Sequence, residues 1–337
     1  MPGPDSASDA IRTPRPFAPI RADRMLVIGG SGFLGSEVVR AACEAGRSVS
    51  VLARHRPDIS ERPWLGAVDW FVGTATDESD VRRAMEGVGW VVDAVGCPPP
   101  AAADFSRASM LVQTVPTLSL LLDILRKTPG VGVTYFSSGG TVYGQTDGRP
   151  VTERHPCAPV SPYGMTKLLA EQCLEDYSHR FGIPIRILRV ANAYGPAQSA
   201  SDGQGLIAAC VEAALGHGGL TIFGDGGNVR DYVEVADVAA AVMGLPPTLD
   251  DHRTVNVGSG TGHRVDEVLA LLSEITGARF HVRRLPARPQ DVASIVLDTS
   301  RLAELIPWNP KPLVDGVGAV WRDRVGRMAA PAAVHTG

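Results

Sequence analysis

Tyr163 and Lys167 stand four residues apart in Ser161-Pro162-Tyr163-Gly164-Met165-Thr166-Lys167, a spacing that brings both side chains to one face of a helix. An ammonium beside a phenol favours the phenolate, and a phenol so placed can exchange a proton with a hydroxyl or a carbonyl. On its own such a pair is ordinarily an exposed packing pair; downstream of a phosphate-cradling glycine loop in the same domain it becomes the leading proton-transfer candidate. A second chemical signal lies upstream in Gly29, Gly32 and Gly35, spaced G-x-x-G-x-x-G. Gly29 lets the chain turn, Gly32 clears the backbone for a pyrophosphate, and Gly35 lets a helix pack close to a sheet. Free N–H groups at the start of that helix then face the phosphates.

The elements that must position these groups are legible as an alternation. Residues 25–28 form an apolar run before the glycine loop, and an Ala/Val/Glu-rich helix follows it to residue 45. Further strands are predicted at 48–53, 69–72, 88–94, 133–136 and 185–191, with helices at 77–85, 111–125 and 163–179. Strands alternating with helices at this pitch predict an α/β fold with a Rossmann-type, doubly wound parallel sheet. Its strands read as continuous apolar runs because both faces of the sheet are covered. The division expected is a disordered extension over 1–23, a dinucleotide-binding domain over 24–195, and a smaller C-terminal substrate-binding lobe over 196–330 with late elements returning to the sheet.

Composition excludes several classes. Of the 337 residues 44% are hydrophobic and 20% charged, which suits a soluble chain with a sizeable core. A net charge of −4 and scattered basic residues argue against a nucleic-acid partner. Residues 1–23 lack the apolar segment of a signal peptide or membrane anchor. Cys43, Cys97, Cys157, Cys173 and Cys210 form no C-x-x-C pair and no metal-ligand pattern, so free thiols in the cytoplasm are expected.

With these pieces together, the chain resembles the extended short-chain dehydrogenases/reductases, in the NAD-dependent epimerase/dehydratase branch that acts on nucleotide sugars. The residues that carry the likeness are the glycine loop, the Tyr163/Lys167 pair, and the stretches 136–144 (FSSGGTVYG, read with Ser137 before Ser138), 189–196 (RVANAYGP), 224–233 (GDGGNVRDYV) and 288–291 (RPQD). The resemblance implies that Tyr163 is the general acid/base and that Lys167 is its electrostatic partner and a ribose ligand. It implies cofactor contacts from Gly29, Gly32, Phe33, Leu34, Gly35, Val95 and Asp77, the last near the adenine. Asn192, Phe223, Arg230, Arg288 and Asp291 fall to the substrate, with the arginines on its diphosphate, because each guanidinium offers a planar fork of donors. Ile295 is expected nearby.

Departures from the pattern sharpen the expectation. Gly139 stands where the family has a Ser or Thr, so Ser138, with Thr141 behind it, must supply the second catalytic hydroxyl. Gly140 and Thr141 replace the Asp-Glu pair of the dehydratases, which disfavours water loss. Arg54 stands where NAD enzymes usually place an acid; it would meet a 2′-phosphate of NADP or stack on the adenine of NAD. Gln113 replaces an expected asparagine, and Asp93 puts a carboxylate at the cofactor cleft. The function implied is a nucleotide-sugar epimerase, like UDP-glucose 4-epimerase, passing through a transient keto sugar with bound NAD. The alternatives are an NADPH-dependent ketoreductase of a nucleotide-linked 4-keto-6-deoxysugar and a catalytically idle dinucleotide-binding protein. A homodimer is expected through the helices that carry Leu118, Leu121, Leu122 and Leu125 and Leu168, Leu169 and Cys173.

Overall fold

In the computed structural model the residues described are 21–57, 63–96, 107–198, 205–249 and 253–329. The 1–23 extension lies outside them except where β1 (Arg21–Ile28) begins, three residues before the predicted unit. Those extra residues belong to the sheet because Arg21 pairs with Val88, across a register shift that precedes Met25. Cys97 also falls outside, as does the side chain of Gln113.

The chain then alternates as predicted: α1 (Phe33–Glu44), β2 (Ser48–Ala53), β3 (Asp69–Val72), α2 (Glu78–Ala84), β4 (Val88–Asp93), α3 (Arg107–Leu125), β5 (Gly132–Ser138), α4 (Pro162–Phe181) and β6 (Ile185–Val190). Later come β7 (Asn192–Tyr194), α5 (Leu206–Ala214), β8 (Leu220–Phe223), β9 (Val229–Glu234), α6 (Val235–Gly244), β10 (Thr254–Val257), β11 (Gly262–Arg264) and α7 (Val265–Thr276). β12 (Val282–Leu285), β13 (Ser294–Ile295), α8 (Ser300–Leu305) and α9 (Leu313–Ala329) complete the order.

Seven strands form one parallel sheet in the order β10-β6-β5-β4-β1-β2-β3. Its reversal between β1 and β4 opens a crevice at the carboxyl ends of the strands, where ligands of such sheets bind. One face packs on α1 and α6 through Val38, Val39, Ala239 and Val242. The other packs on α3 and α4 through Leu118, Leu121, Leu122, Leu125, Ala170 and Leu174. These four α3 leucines therefore face the sheet, which corrects their assignment to a contact surface. A separate apolar cluster (Ile207, Val211, Leu269, Leu272, Val317) lies under two small sheets, β8 with β12 and β9 with β7, β11 and β13. No helix among the described residues is long and apolar enough to cross a membrane.

Candidate active site

The glycine loop joins β1 to α1. Gly29 adopts φ +79°, and a Cβ there would lie 2.8 Å from the Ala94 carbonyl oxygen. A Cβ on Gly35 would overlap the Gly29 carbonyl, so the first turn of α1 packs where only glycine fits. Gly32 is the N-cap of α1 and carries no side chain to cap it. The first-turn N–H groups of Phe33, Leu34 and Gly35 are thus left to a ligand, an arrangement that fits an anionic pyrophosphate.

Around this loop the other cofactor candidates divide. Arg54 is exposed just beyond β2. Val95 is half-buried and donates its backbone N–H to Asp93 Oδ1 at 3.0 Å. Asp77 serves as the N-cap of α2: its Oδ1 accepts the Asp80 N–H at 3.0 Å and the Ser79 hydroxyl at 2.6 Å. These two bonds hold its carboxyl below the usual range.

α4 starts where Ser161 Oγ accepts the Gly164 N–H at 3.1 Å and Pro162 occupies the first turn, a combination that favours helix initiation. One turn in, Lys167 is buried; its Nζ donates to the Phe136 carbonyl at 2.7 Å and sits 4.7 Å from the Tyr135 ring centre and 5.8 Å from that of Tyr163. Asp93, at the end of β4, is 5% exposed and lies opposite Tyr135 in the β4/β5 register. Burial pushes its carboxyl up, against the pull of the Val95 N–H and of the Lys167 charge.

Tyr163, Ser138, Thr141, Asn192, Phe33, Leu34, Arg230, Arg288 and Asp291 line one cavity of about 410 Å³. Its hydroxyls are not equivalent. Among the described residues Thr141 Oγ1 is buried with no hydrogen-bond partner, whereas Ser138 is half-buried at the strand end. Gly139 has no room for a side chain, since a Cβ would lie 2.6 Å from Leu297 Cδ1 and 2.9 Å from the Arg189 carbonyl oxygen. A Cβ at Gly140 would come within 3.0 Å of Asn192 Oδ1. Local packing thus explains the glycine at 139, where a backbone carbonyl bounds the space, whereas at 140 the Asn192 side chain would need to give by only a few tenths of an ångström.

A second cavity of about 310 Å³ shares Gly205, Leu206, Arg230, Arg288 and Asp291 with the first and extends past Phe223 and Asn228. Arg288 donates from Nε and Nη2 to the two Asp291 oxygens, each at 3.0 Å, with its guanidinium 4.2 Å from the Phe223 ring centre. Arg230 donates Nη1 to the Val229 carbonyl at 2.8 Å, and burial pulls its guanidinium below the ordinary value. Ile295 is buried in the core and lines neither cavity. Sequence reasoning missed Gln198, Tyr194, Tyr232 and Gln290, which also line the first cavity. All but Gln198 lie inside the stretches that carried the resemblance; only the fold reveals that Tyr194 on β7, Tyr232 on β9 and Gln290 in the turn before β13 border the cavity. Gln198 follows its stretch by two residues, and its buried Oε1 has no partner among the described residues.

A parallel sheet crossed at β1/α1 by a glycine loop, with Tyr163 of α4 lining the cavity at the same crevice and Lys167 buried one turn on, defines a dinucleotide-binding protein of the short-chain dehydrogenase/reductase class. The chain belongs to the NAD dependent epimerase/dehydratase family, whose model matches residues 25–258. A UDP-glucose 4-epimerase of Azospirillum brasilense is 32% identical over 321 residues, covering 87% of this chain and 89% of that relative. The crystal structure of UDP-glucose 4-epimerase from Thermotoga maritima with UDP-glucose superposes with a TM-score of 0.82 at 29% identity, covering 90% of this chain and 99% of that one. UDP-glucose 4-epimerase of Thermus thermophilus in complex with NAD gives 0.80 at 29% identity, over the same shares.

Proposed function

We propose that this chain is a nucleotide-sugar 4-epimerase of the UDP-glucose type that works with NAD. The observation that carries this is the pair of cavities sharing Arg230 and Arg288: Tyr163 and two hydroxyls lie at one end, and Phe223 lies at the other. Such a groove suits a sugar joined to a nucleoside diphosphate. The named relatives act on, or hold, UDP-sugars and NAD.

NAD bound at the first turn of α1 supplies a reversible hydride acceptor. Tyr163 Oη takes the proton of the sugar 4-hydroxyl and returns it once the other face of the sugar is presented. Lys167, anchored on the Phe136 carbonyl, favours negative charge on that oxygen. Thr141 Oγ1, which lacks a protein partner, is our choice for the second hydroxyl contact, ahead of Ser138. Asn192 bonds the substrate near its diphosphate, and Arg230 and Arg288 offset the diphosphate charge. Position 140 carries a glycine where dehydration requires an aspartate.

Arg54 is the one feature that favours an NADPH-dependent reductase. The discriminating experiment denatures the purified protein, identifies the released dinucleotide by mass spectrometry, and assays UDP-glucose/UDP-galactose interconversion without added cofactor. Retained NAD and interconversion are expected, with Tyr163→Phe lowering kcat by about 10²- to 10⁴-fold and Thr141→Val costing more than Ser138→Ala. An empty protein that consumes NADPH would overturn the epimerase assignment, and full activity in Tyr163→Phe would overturn every catalytic one.

The homodimer also stands as a proposal. Its support is the apolar surface left on α3 and α4, where Val115, Leu169 and Phe181 are 43%, 37% and 49% exposed. Light scattering should give the mass of two 35.5 kDa chains. We place the enzyme in the cytoplasm, where the free thiols of Cys43, Cys157, Cys173 and Cys210 persist.

A further inference from the structure

Away from the crevice, a cavity of about 350 Å³ opens toward the amino-terminal ends of β4 and β6, against the end of α6. Its walls are largely apolar, with Met25, Trp90, Pro184, Met243 and Leu245 among the lining residues and Arg47 and Arg186 as the charges. The volume lies within the range of about 300–1,000 Å³ typical of small-molecule sites.

Arg186 makes this cavity unusual. It is 4% exposed, a deep burial for a guanidinium. Nε donates to Thr134 Oγ1 at 2.9 Å, and Nη1 donates to the Val242 and Leu245 carbonyls at 3.2 and 2.8 Å. The guanidinium lies 4.4 Å from the centre of the Trp90 ring. That ring fits because its strand partner is Gly132, where a Cβ would strike the indole. Trp90 Nε1 in turn donates to the same Thr134 hydroxyl at 2.8 Å.

The carbonyls at the end of α6 offset part of the charge, since a helix C-terminus carries about half an elementary charge. No carboxylate offsets the rest: among the described residues Arg186 and Arg47 make no salt bridge. Arg186 is drawn down to about 10, first by burial and then by the like charge of Arg47. Burying a cation without an anion is costly. Two arginines beside an apolar, aromatic-walled cavity therefore form a half-built ion pair.

We infer that this cavity binds a small organic monocarboxylate with a flat apolar body, the body lying against Trp90, Met25 and Pro184 and the carboxylate meeting Arg186 and Arg47. A doubly charged phosphate fits less well, because the same apolar walls would strip its water without hydrogen bonds to replace it. The site is independent of the epimerase assignment and shares no residue with the two active-site cavities.

The test titrates the full chain with benzoate, the isosteric neutral benzamide, and inorganic phosphate, following tryptophan fluorescence and melting temperature. Saturable binding of benzoate alone is expected, with the fluorescence change abolished in Trp90→Phe and the affinity lowered about tenfold in Arg47→Ala, which corresponds to ~1.4 kcal/mol. Arg186→Gln should abolish binding; if that chain fails to fold, the exposed Arg47 carries the test, since its truncation leaves the core untouched. No saturable benzoate response, equal binding of benzamide, or affinity unchanged in Arg47→Ala would overturn the inference. Binding of phosphate alone would overturn the assigned ligand class.

Discussion

Gly139, Gly140 and Asp93 show how single residues shape this site. The two glycines are among the places where the chain leaves its family pattern: Leu297 and the Arg189 carbonyl fill the space beside Gly139, and the Asn192 side chain lies 3.0 Å from where a Cβ at Gly140 would stand. Asp93 carries a cost that can be measured. Its carboxyl is raised in the folded state, chiefly by burial, so the native protein holds this proton more tightly than the unfolded chain does. The stabilisation that follows is complete below the unfolded value of about 3.9 and is lost as pH rises through the raised native value. Asp93→Asn, neutral throughout, should therefore melt a few degrees above the parent at neutral and higher pH, with the difference shrinking as pH falls toward about 4. Thermal melts across pH check this, and a difference that grows toward acid would refute it.

α4 is held at its depth by a buried polar network one turn beyond Lys167. Glu171 accepts from Arg189 at 3.1 Å on Oε1 and at 2.6 and 3.2 Å on Oε2, and from the Ser137 hydroxyl. Arg189 also donates to Tyr143 Oη at 3.1 Å, and Tyr143 donates to Asn256 Oδ1 at 2.6 Å. β5, α4, β6 and β10 are thereby tied together directly beneath the hydroxyls and the Tyr/Lys pair. Removing one partner leaves a buried guanidinium uncompensated, so Glu171→Gln should cost about 3–5 kcal/mol in urea unfolding. Glu171→Leu combined with Arg189→Met should recover part of that loss, because the unpaired charge goes too. The elements themselves were legible because continuous apolar strands and helical periodicity are local. This network was not: nothing in the spacing of Ser137, Glu171, Arg189 and Asn256 reveals that four elements converge.

At the scale of the molecule, the late strands build the far wall of the groove. β9 carries Arg230 and the β8 end carries Phe223, while the loop before β13 carries Arg288 and Asp291. The two arginines are unequal: Arg288 is already paired with Asp291, and Arg230 makes no salt bridge among the described residues. Arg230→Ala should accordingly weaken UDP competition about tenfold, equivalent to ~1.4 kcal/mol, and more than Arg288→Ala does; inhibition constants for both variants decide it. The sequence by itself determined the alternating α/β order, the glycine loop and the Tyr163/Lys167 pair, because each rests on residues close together in the chain. It also located the stretches 136–144, 189–196, 224–233 and 288–291 that line the groove, but not 205–209 or 219–222. Only the tertiary structure decided that the α3 leucines face the sheet, that Ile295 belongs to the core, that Asp77 caps a helix, and that the Thr141 hydroxyl is fully buried while Ser138 is half-buried. Each of these depends on which face of an element meets a neighbour distant in the chain, and burial against such a neighbour leaves no local periodicity to read.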